Sequence, residues 1–171
     1  MKRYAIGVAV LAVTELGMAD TLLVPSEYAS IQEAIDASVD GDVIEVAPGS
    51  YNERLDTGGK SISIIGINGY PQTILDPQGG GGTLLTVANA EVDLQVEGFT
   101  FRNGQNSVMT SLAGDSTSTF TSCRWLGGTA SDGGAIKMES ATATFNDCQW
   151  VSNKSTNHGG AIHASSSTLS L

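Results

Sequence analysis

A repeat of about 25 residues is the feature that most limits what this chain can fold into. The segment TFTSCRW at residues 119–125 returns as TFNDCQW at residues 144–150, with Phe, Cys and Trp at the same internal spacing. The segment GGAI at residues 133–136 returns at residues 159–162, one residue later than that spacing predicts. Each copy holds short β-prone runs between turns rich in Gly. A unit of this size cannot bury its own apolar face, so it must stack on its neighbours.

The repeat predicts an all-β solenoid, a right-handed parallel β-helix of about six coils with about 25 residues in each coil. Equivalent side chains of successive coils then stand about 4.8 Å apart and form ladders inside the core. The predicted ladders are Val96–Phe120–Phe145–Leu171, Phe99–Cys123–Cys148 and Phe101–Trp125–Trp150. Arg124 and Gln149 fall between the Cys and Trp rungs and are expected outside. A sugar-stacking role for the two Trp is the alternative, but their register follows the interior Phe101.

The segment before the clearest repeats predicts a short helix that covers the end of the solenoid core. Ser30 to Glu33 reads as a capping box. An apolar stripe of Ile31, Ala34, Ile35 and Ala37 follows, and Asp40-Gly41 is expected to end the helix. The next runs predict strands at residues 43–46, 61–65 and 73–75.

Two stretches resemble known families. Residues 24–53, VPSEYASIQEAIDASVDGDVIEVAPGSYNE, resemble the opening of pectin-lyase-like right-handed parallel β-helix proteins, pectin methylesterases included. The later repeats are similar to those of polymorphic outer membrane proteins, whose marks are GGA-I and F-x-x-N. Here these marks appear as residues 133–136, 159–162 and 150–153, with Trp in place of Phe, and Gly128 stands where the first Asn is expected. The resemblance implies the fold, which hosts many functions.

The pectin methylesterase resemblance implies a catalytic pair of Asp with an Arg and supporting Gln. Where that family has Q-A-V-A-L, this chain has NSVMT at residues 106–110, and where it has G-Y-Q-D-T, this chain has GTASD at residues 128–132. The D-F-I-F-G segment is missing. No catalytic residue is therefore predicted in this chain, and Asp132 is expected to be a solvated turn residue.

The outer face offers a few binding candidates. Lys137 and His163 follow the repeated Ile and should occupy the same outward position in consecutive coils, and Glu139 lies two residues beyond Lys137. Such a Lys–Glu–His group could perform acid–base work. An ordinary solvated face is the alternative. His158 is expected in a variable turn without a partner.

Two other features leave alternatives open. Cys123 and Cys148 would stack at a distance that permits a disulfide, but an interior ladder of two thiols is favoured. The Thr117/Thr142/Thr168 file and its neighbour Thr119/Thr144/Ser170 resemble the threonine files of some ice-binding solenoids. Neither cofactor nor metal is predicted, since no calcium loop of the D-x-[DN]-x-[DN]-G type occurs.

Residues 1–19 have the pattern of a secretory signal peptide. Lys2 and Arg3 precede an apolar run, and Gly17-Met18-Ala19 predicts cleavage between Ala19 and Asp20. Without Lys2, Arg3 and Glu15, the 8 basic and 18 acidic residues become 6 and 17, a net charge near −11. Such acidity disfavours nucleic acid and anionic lipid as partners, and no later segment is apolar enough to span a bilayer.

Residues 20–171 are expected to form a single β-helix domain that stops inside a repeat, with an uncapped last coil open to end-to-end self-association. The predicted function is a secreted or cell-surface, non-catalytic module that is adhesive, structural or in contact with polysaccharide or cell-surface glycans. The alternative is part of a polysaccharide lyase or esterase whose catalytic residues lie elsewhere. Ice binding is a remote third possibility.

Overall fold

The structure is a computed structural model that describes residues 18–78, 80–88 and 93–171. Its elements in chain order are β1 (Thr21–Val24), α1 (Ile31–Ala37), β2 (Val43–Val46), β3 (Gly49–Tyr51), β4 (Leu55–Asp56), β5 (Ser63–Gly66), β6 (Thr73–Leu75), β7 (Leu85–Ala88), β8 (Asp93–Glu97), β9 (Thr100–Arg102), β10 (Thr110–Ala113), β11 (Thr117–Thr121), β12 (Arg124–Leu126), β13 (Thr129–Asp132), β14 (Ile136–Glu139), β15 (Thr142–Asn146), β16 (Gln149–Val151), β17 (Lys154–His158), β18 (Ile162–Ser165) and β19 (Thr168–Ser170). All but the last two residues of the predicted signal peptide lie outside the described residues, and its cleavage stays a prediction.

Every pair of named strands is parallel and joins equivalent strands of neighbouring coils. The first sheet has the order β1-β2-β5-β8-β11-β15-β19, the second β3-β6-β9-β12-β16, and the third β4-β7-β10-β14-β18. A two-stranded sheet, β13-β17, adds a further side to the last coils. Thr117 pairs with Thr142, 25 residues later. The predicted parallel β-solenoid of about six turns is therefore confirmed.

The predicted aromatic ladders form the centre of the core. The Trp125 ring stacks between Phe101, at a centroid distance of 5.2 Å, and Trp150, at 5.8 Å. The Phe120 ring stacks on Phe145 at 5.2 Å with the planes 10° apart. Trp125 is fully buried, so it packs the interior rather than serving as a sugar platform.

The prediction that Leu171 forms the last rung of the Phe ladder is wrong, because its side chain is 79% exposed. β19 ends at Ser170, and no later coil of this chain covers the residue. A rung is buried only when coils lie on both sides of it. The predicted strand at residues 61–65 is displaced and runs as β5, whereas those at 43–46 and 73–75 form as expected.

Single residues of left-handed backbone turn the corners between strands. The corner before the Cys rung is made by Gly98, Ser122 and Asp147, with φ of 75°, 49° and 52° in successive coils. Equivalent series at the other corners are Asp115, Ser140 and Ser166, and Asn103, Gly127 and Ser152. Gly adopts this conformation freely, and short polar residues tolerate it better than branched ones. The corners therefore repeat in backbone conformation although their residues differ.

Helix α1 packs on β1, β2 and β4 and covers the N-terminal end of the core. Its predicted cap is present: the Glu33 amide donates to Ser30 Oγ at 3.1 Å, and the Glu33 carboxylate accepts from the Ala29 amide at 3.1 Å. The predicted stripe is wrong at its last position, since Ala37 is exposed and Ser38 is buried in its place. The helix ends at Ala37, before Asp40-Gly41, because the Ser38 hydroxyl donates to the Ile35 carbonyl at 2.8 Å.

Candidate functional site

The repeated GGAI segments place two coils in close backbone contact at one corner. Gly133 and Gly159 have φ of 63° and 58°, in the left-handed region. A Cβ on Gly134 would collide with the carbonyl oxygens of Lys154 and Gly160. Only glycine permits this approach. The motif therefore recurs for a steric reason, and it fixes the strands on both sides of the corner.

The predicted binding candidates on the third sheet lie where the sequence placed them. Lys137 in β14 pairs with His163 in β18. Lys137 Nζ lies 2.8 Å from Glu139 Oε1, two residues along the same face. Both side chains of this ion pair are substantially exposed, so it adds little to stability.

The sequence analysis missed the partner that His163 does have. His158 Nδ1 lies 2.7 Å from Asp132 Oδ1, and the His158 amide donates to the same oxygen at 3.2 Å. The expectation that His158 sits in a turn without a partner is wrong, because it ends strand β17. Asp132 likewise ends strand β13 and is not a turn residue.

A change in register brings Asp132 and His158 together. Thr129 pairs with Lys154, 25 residues later, whereas Asp132 pairs with His158, 26 residues later. The extra residue is absorbed by an irregularity between Ala130 and Asp132. The one-residue excess between the two GGAI copies was the sequence signal of this irregularity.

Asp132, His158 and His163 together form what we call the Asp-His-His cluster. The rings of His158 and His163 have centroids 5.5 Å apart. One ligand atom from each of the three residues lies within 4.8 Å of the other two. The hydrogen bond from His158 lowers the pKa of the Asp132 carboxyl below its ordinary value, and the charges of both histidines act in the same direction. Asp132 is therefore ionised at neutral pH.

The cluster combines chemical groups that transfer protons or bind metal ions. It is open to water on one side, because the His158 side chain is 73% exposed. An open pocket of about 260 Å³ lies beside it on the two-stranded sheet, lined by Asn106, Thr129, Ala130, Ser131 and Thr156. Donor groups and a concave surface therefore adjoin at this corner.

The first sheet presents a second polar surface. In the last three coils its outward positions carry only uncharged hydroxyl and amide side chains, which we call the hydroxyl face: Thr117, Thr119, Thr121, Thr142, Thr144, Asn146, Thr168 and Ser170. Residues of equal rank pair across the strands, so the two predicted threonine files are in register. The coil before them carries Asp93, Gln95 and Glu97 at the same positions. The uncharged array therefore has a sharp acidic border on one side.

The two cysteines are free thiols on neighbouring rungs, as the favoured interpretation expected. Cys123 is fully buried, and its Sγ lies 3.6 Å from the Val96 carbonyl oxygen. Burial raises the pKa of the Cys123 thiol well above its ordinary value. The thiol is therefore protonated and unreactive, a packing group rather than a nucleophile.

No protein-family model, curated protein or solved structure matches this chain. The described part of the chain has no helix with the length and apolarity needed to span a bilayer.

Proposed function

We propose that this chain is an exported, non-catalytic β-solenoid module that contacts neutral polysaccharide through the hydroxyl face. Export rests on the signal-peptide pattern of residues 1–19. The observation that carries the proposal is the in-register array of hydroxyl and amide groups on β11, β15 and β19. Hydroxyl and amide groups both donate and accept hydrogen bonds, as sugar hydroxyls do.

The array suits binding because its backbone is already ordered. Inter-coil hydrogen bonds hold the three strands, and parallel strands stand about 4.8 Å apart. Side chains with few rotatable bonds then lose little entropy on contact with a ligand. The net charge of −10 disfavours acidic polymers, and the border of Asp93 and Glu97 repels them directly. Neutral glycans are therefore the favoured class.

The in-register threonines also favour a second candidate function, the ordering of water at an ice surface. Thr117, Thr142 and Thr168 pair in one file, and Thr119 and Thr144 in the next. This candidate needs the same face but no sugar.

Binding to insoluble neutral polysaccharides and to a glycan array tests the proposal. Thr144→Lys places a long charged side chain in the middle of the hydroxyl face and is expected to weaken binding by about tenfold or more. Thr86→Lys makes the same exchange at an outward position of the third sheet and should leave binding unchanged. Equal binding by both variants would contradict the proposal.

Two further readouts separate the alternatives. Release of shortened or unsaturated sugars would identify a polysaccharide enzyme, and Thr144→Lys would then be no more harmful than Thr86→Lys. Inhibition of ice recrystallisation without glycan binding, lost in Thr144→Lys, would select the second candidate function.

A further inference from the structure

We propose that the Asp-His-His cluster is a binding site for one borderline transition-metal ion, with Zn²⁺ the best fit. This inference is independent of the proposed function, because the cluster lies on β13, β17 and β18, away from the hydroxyl face. Two imidazoles and one carboxylate form a donor set that suits zinc and its neighbours in the first transition row.

The geometry brings three donors close enough for a single ion. Their ligand atoms lie within 4.8 Å of one another. Around a tetrahedral zinc with bonds of about 2.0–2.1 Å, ligand atoms are about 3.3 Å apart. The remaining closure is a matter of side-chain rotation, and the exposed His158 ring is free to make it. The ion would replace the direct contact between His158 Nδ1 and Asp132 Oδ1.

The backbone that carries the donors is held on both sides. The Gly133 amide donates to the His158 carbonyl at 2.9 Å, and the Ile136 amide donates to the Ala161 carbonyl at 3.0 Å. Asp132 and His163 are each no more than one residue from these bonds. Donors on strands rather than on a long loop lose little freedom when an ion binds.

The neighbouring charges permit a cation. Lys137, the register partner of His163, is the nearest opposing charge, and its ammonium group is paired with Glu139 at 2.8 Å. The chain as a whole carries a net charge of −10, which raises the local concentration of cations. Three protein donors leave the fourth position of the ion to water.

The composition makes the test unusually clean, because the chain contains two histidines and both belong to the cluster. Protein without a histidine tag is stripped with a chelator and titrated with Zn²⁺ by calorimetry. It is then titrated with Co²⁺, whose visible absorption reports the coordination geometry. We expect one equivalent of each ion and an intense tetrahedral cobalt spectrum.

Three variants remove the donors in turn. His158→Ala, His163→Ala and Asp132→Asn should each weaken binding by about tenfold or more, since removal of even an outer-shell partner costs that much. Asp93→Asn removes an acid on the first sheet and should bind like the unaltered protein. Zinc should also raise the midpoint of thermal unfolding of the unaltered protein and of Asp93→Asn, but not of the histidine variants.

Two results would overturn the site. One is the absence of stoichiometric binding by the unaltered protein. The other is binding that survives the replacement of both histidines, above all with a cobalt–thiolate charge-transfer band, which would move the ion to Cys123 and Cys148. Circular dichroism in the presence of chelator verifies that each variant is folded.

Discussion

Trp125 Nε1 donates a hydrogen bond to Thr110 Oγ1 at 2.9 Å, and both side chains are fully buried. The indole thus lies in the aromatic ladder while its only polar atom has an acceptor within the same coil. A buried N–H without an acceptor carries a desolvation penalty. The threonine at the start of β10 is therefore part of the core.

Thr110→Val should lower the free energy of unfolding by about 1–3 kcal/mol, because it keeps the shape of the side chain and strands the indole N–H. Thr110→Ser retains the hydroxyl and loses one methyl group, so its loss should be about 1 kcal/mol. Urea unfolding followed by tryptophan fluorescence measures both. A smaller effect for Val than for Ser would show that the hydrogen bond is unimportant.

The next coil lacks this acceptor. Ile136 occupies the position equivalent to Thr110, and Trp150 Nε1 is buried without a hydrogen-bond partner among the described residues. Ile136→Thr supplies a hydroxyl there, so we expect its unfolding free energy to stay within about 1 kcal/mol of the unaltered protein. Ile64→Thr makes the same change in a buried strand position without a tryptophan partner and should cost about 2–3 kcal/mol. Equal losses measured by urea unfolding would rule out the proposed pairing.

Asp76 links two coils and makes stability depend on acid. Its carboxylate accepts from Arg102 Nε at 2.6 Å and from the Gln78 amide at 2.9 Å. Burial alone would raise the pKa of Asp76. The hydrogen bonds from Asn103, Gln78 and Arg102, with the charge of Arg102, outweigh it and bring the pKa below its ordinary value.

The stabilisation from Asp76 should therefore be complete above the unfolded pKa of about 3.9 and disappear as the pH falls through the lower, folded pKa. Asp76→Asn should cost about 1–2 kcal/mol at pH 7, a modest value because Arg102 is partly exposed. The deficit should shrink in acid. Urea unfolding of both proteins between pH 2 and pH 7, in roughly unit steps, measures it. A deficit that does not change with pH would mean that Asp76 acts through packing alone.

Gly134→Ala tests the steric reason for the GGAI repeat. The added Cβ meets the carbonyls of Lys154 and Gly160, so we expect a loss of about 3 kcal/mol or more. Gly127→Ala is the matched control, because nothing lies within 4 Å of its Cβ and only the positive φ of 72° opposes it. That strain is about 1–2 kcal/mol. Thermal unfolding should rank the two variants in this order, and the reverse order would refute the close-approach argument.

The parts of the fold that depend on large side chains could be predicted from the sequence. The stacked Phe120 and Phe145 have the same shape, so their recurrence exposes the coil length and the register. The corners were harder, because Ser122 and Asp147 share a backbone conformation and no side-chain chemistry. Lys137 and His163 were placed correctly by counting from the repeated Ile.

The Asp132–His158 contact could not be predicted in the same way. It depends on one extra residue that is absorbed within β17, and a constant spacing places His158 away from Asp132. The excess residue was visible between the GGAI copies, but its location was not.

The parallel register also determines how the gene can change in length. Because each strand pairs with the strand one turn away, duplication or deletion of a complete turn leaves every remaining pairing intact. A stray codon inside a strand would shift every side chain beyond it to the opposite face. The irregular pairing of β13 with β17 shows where this architecture tolerates such an error. Heritable length variation should therefore come in whole turns, with odd residues collected at this one corner, where they alter the surface and spare the interior.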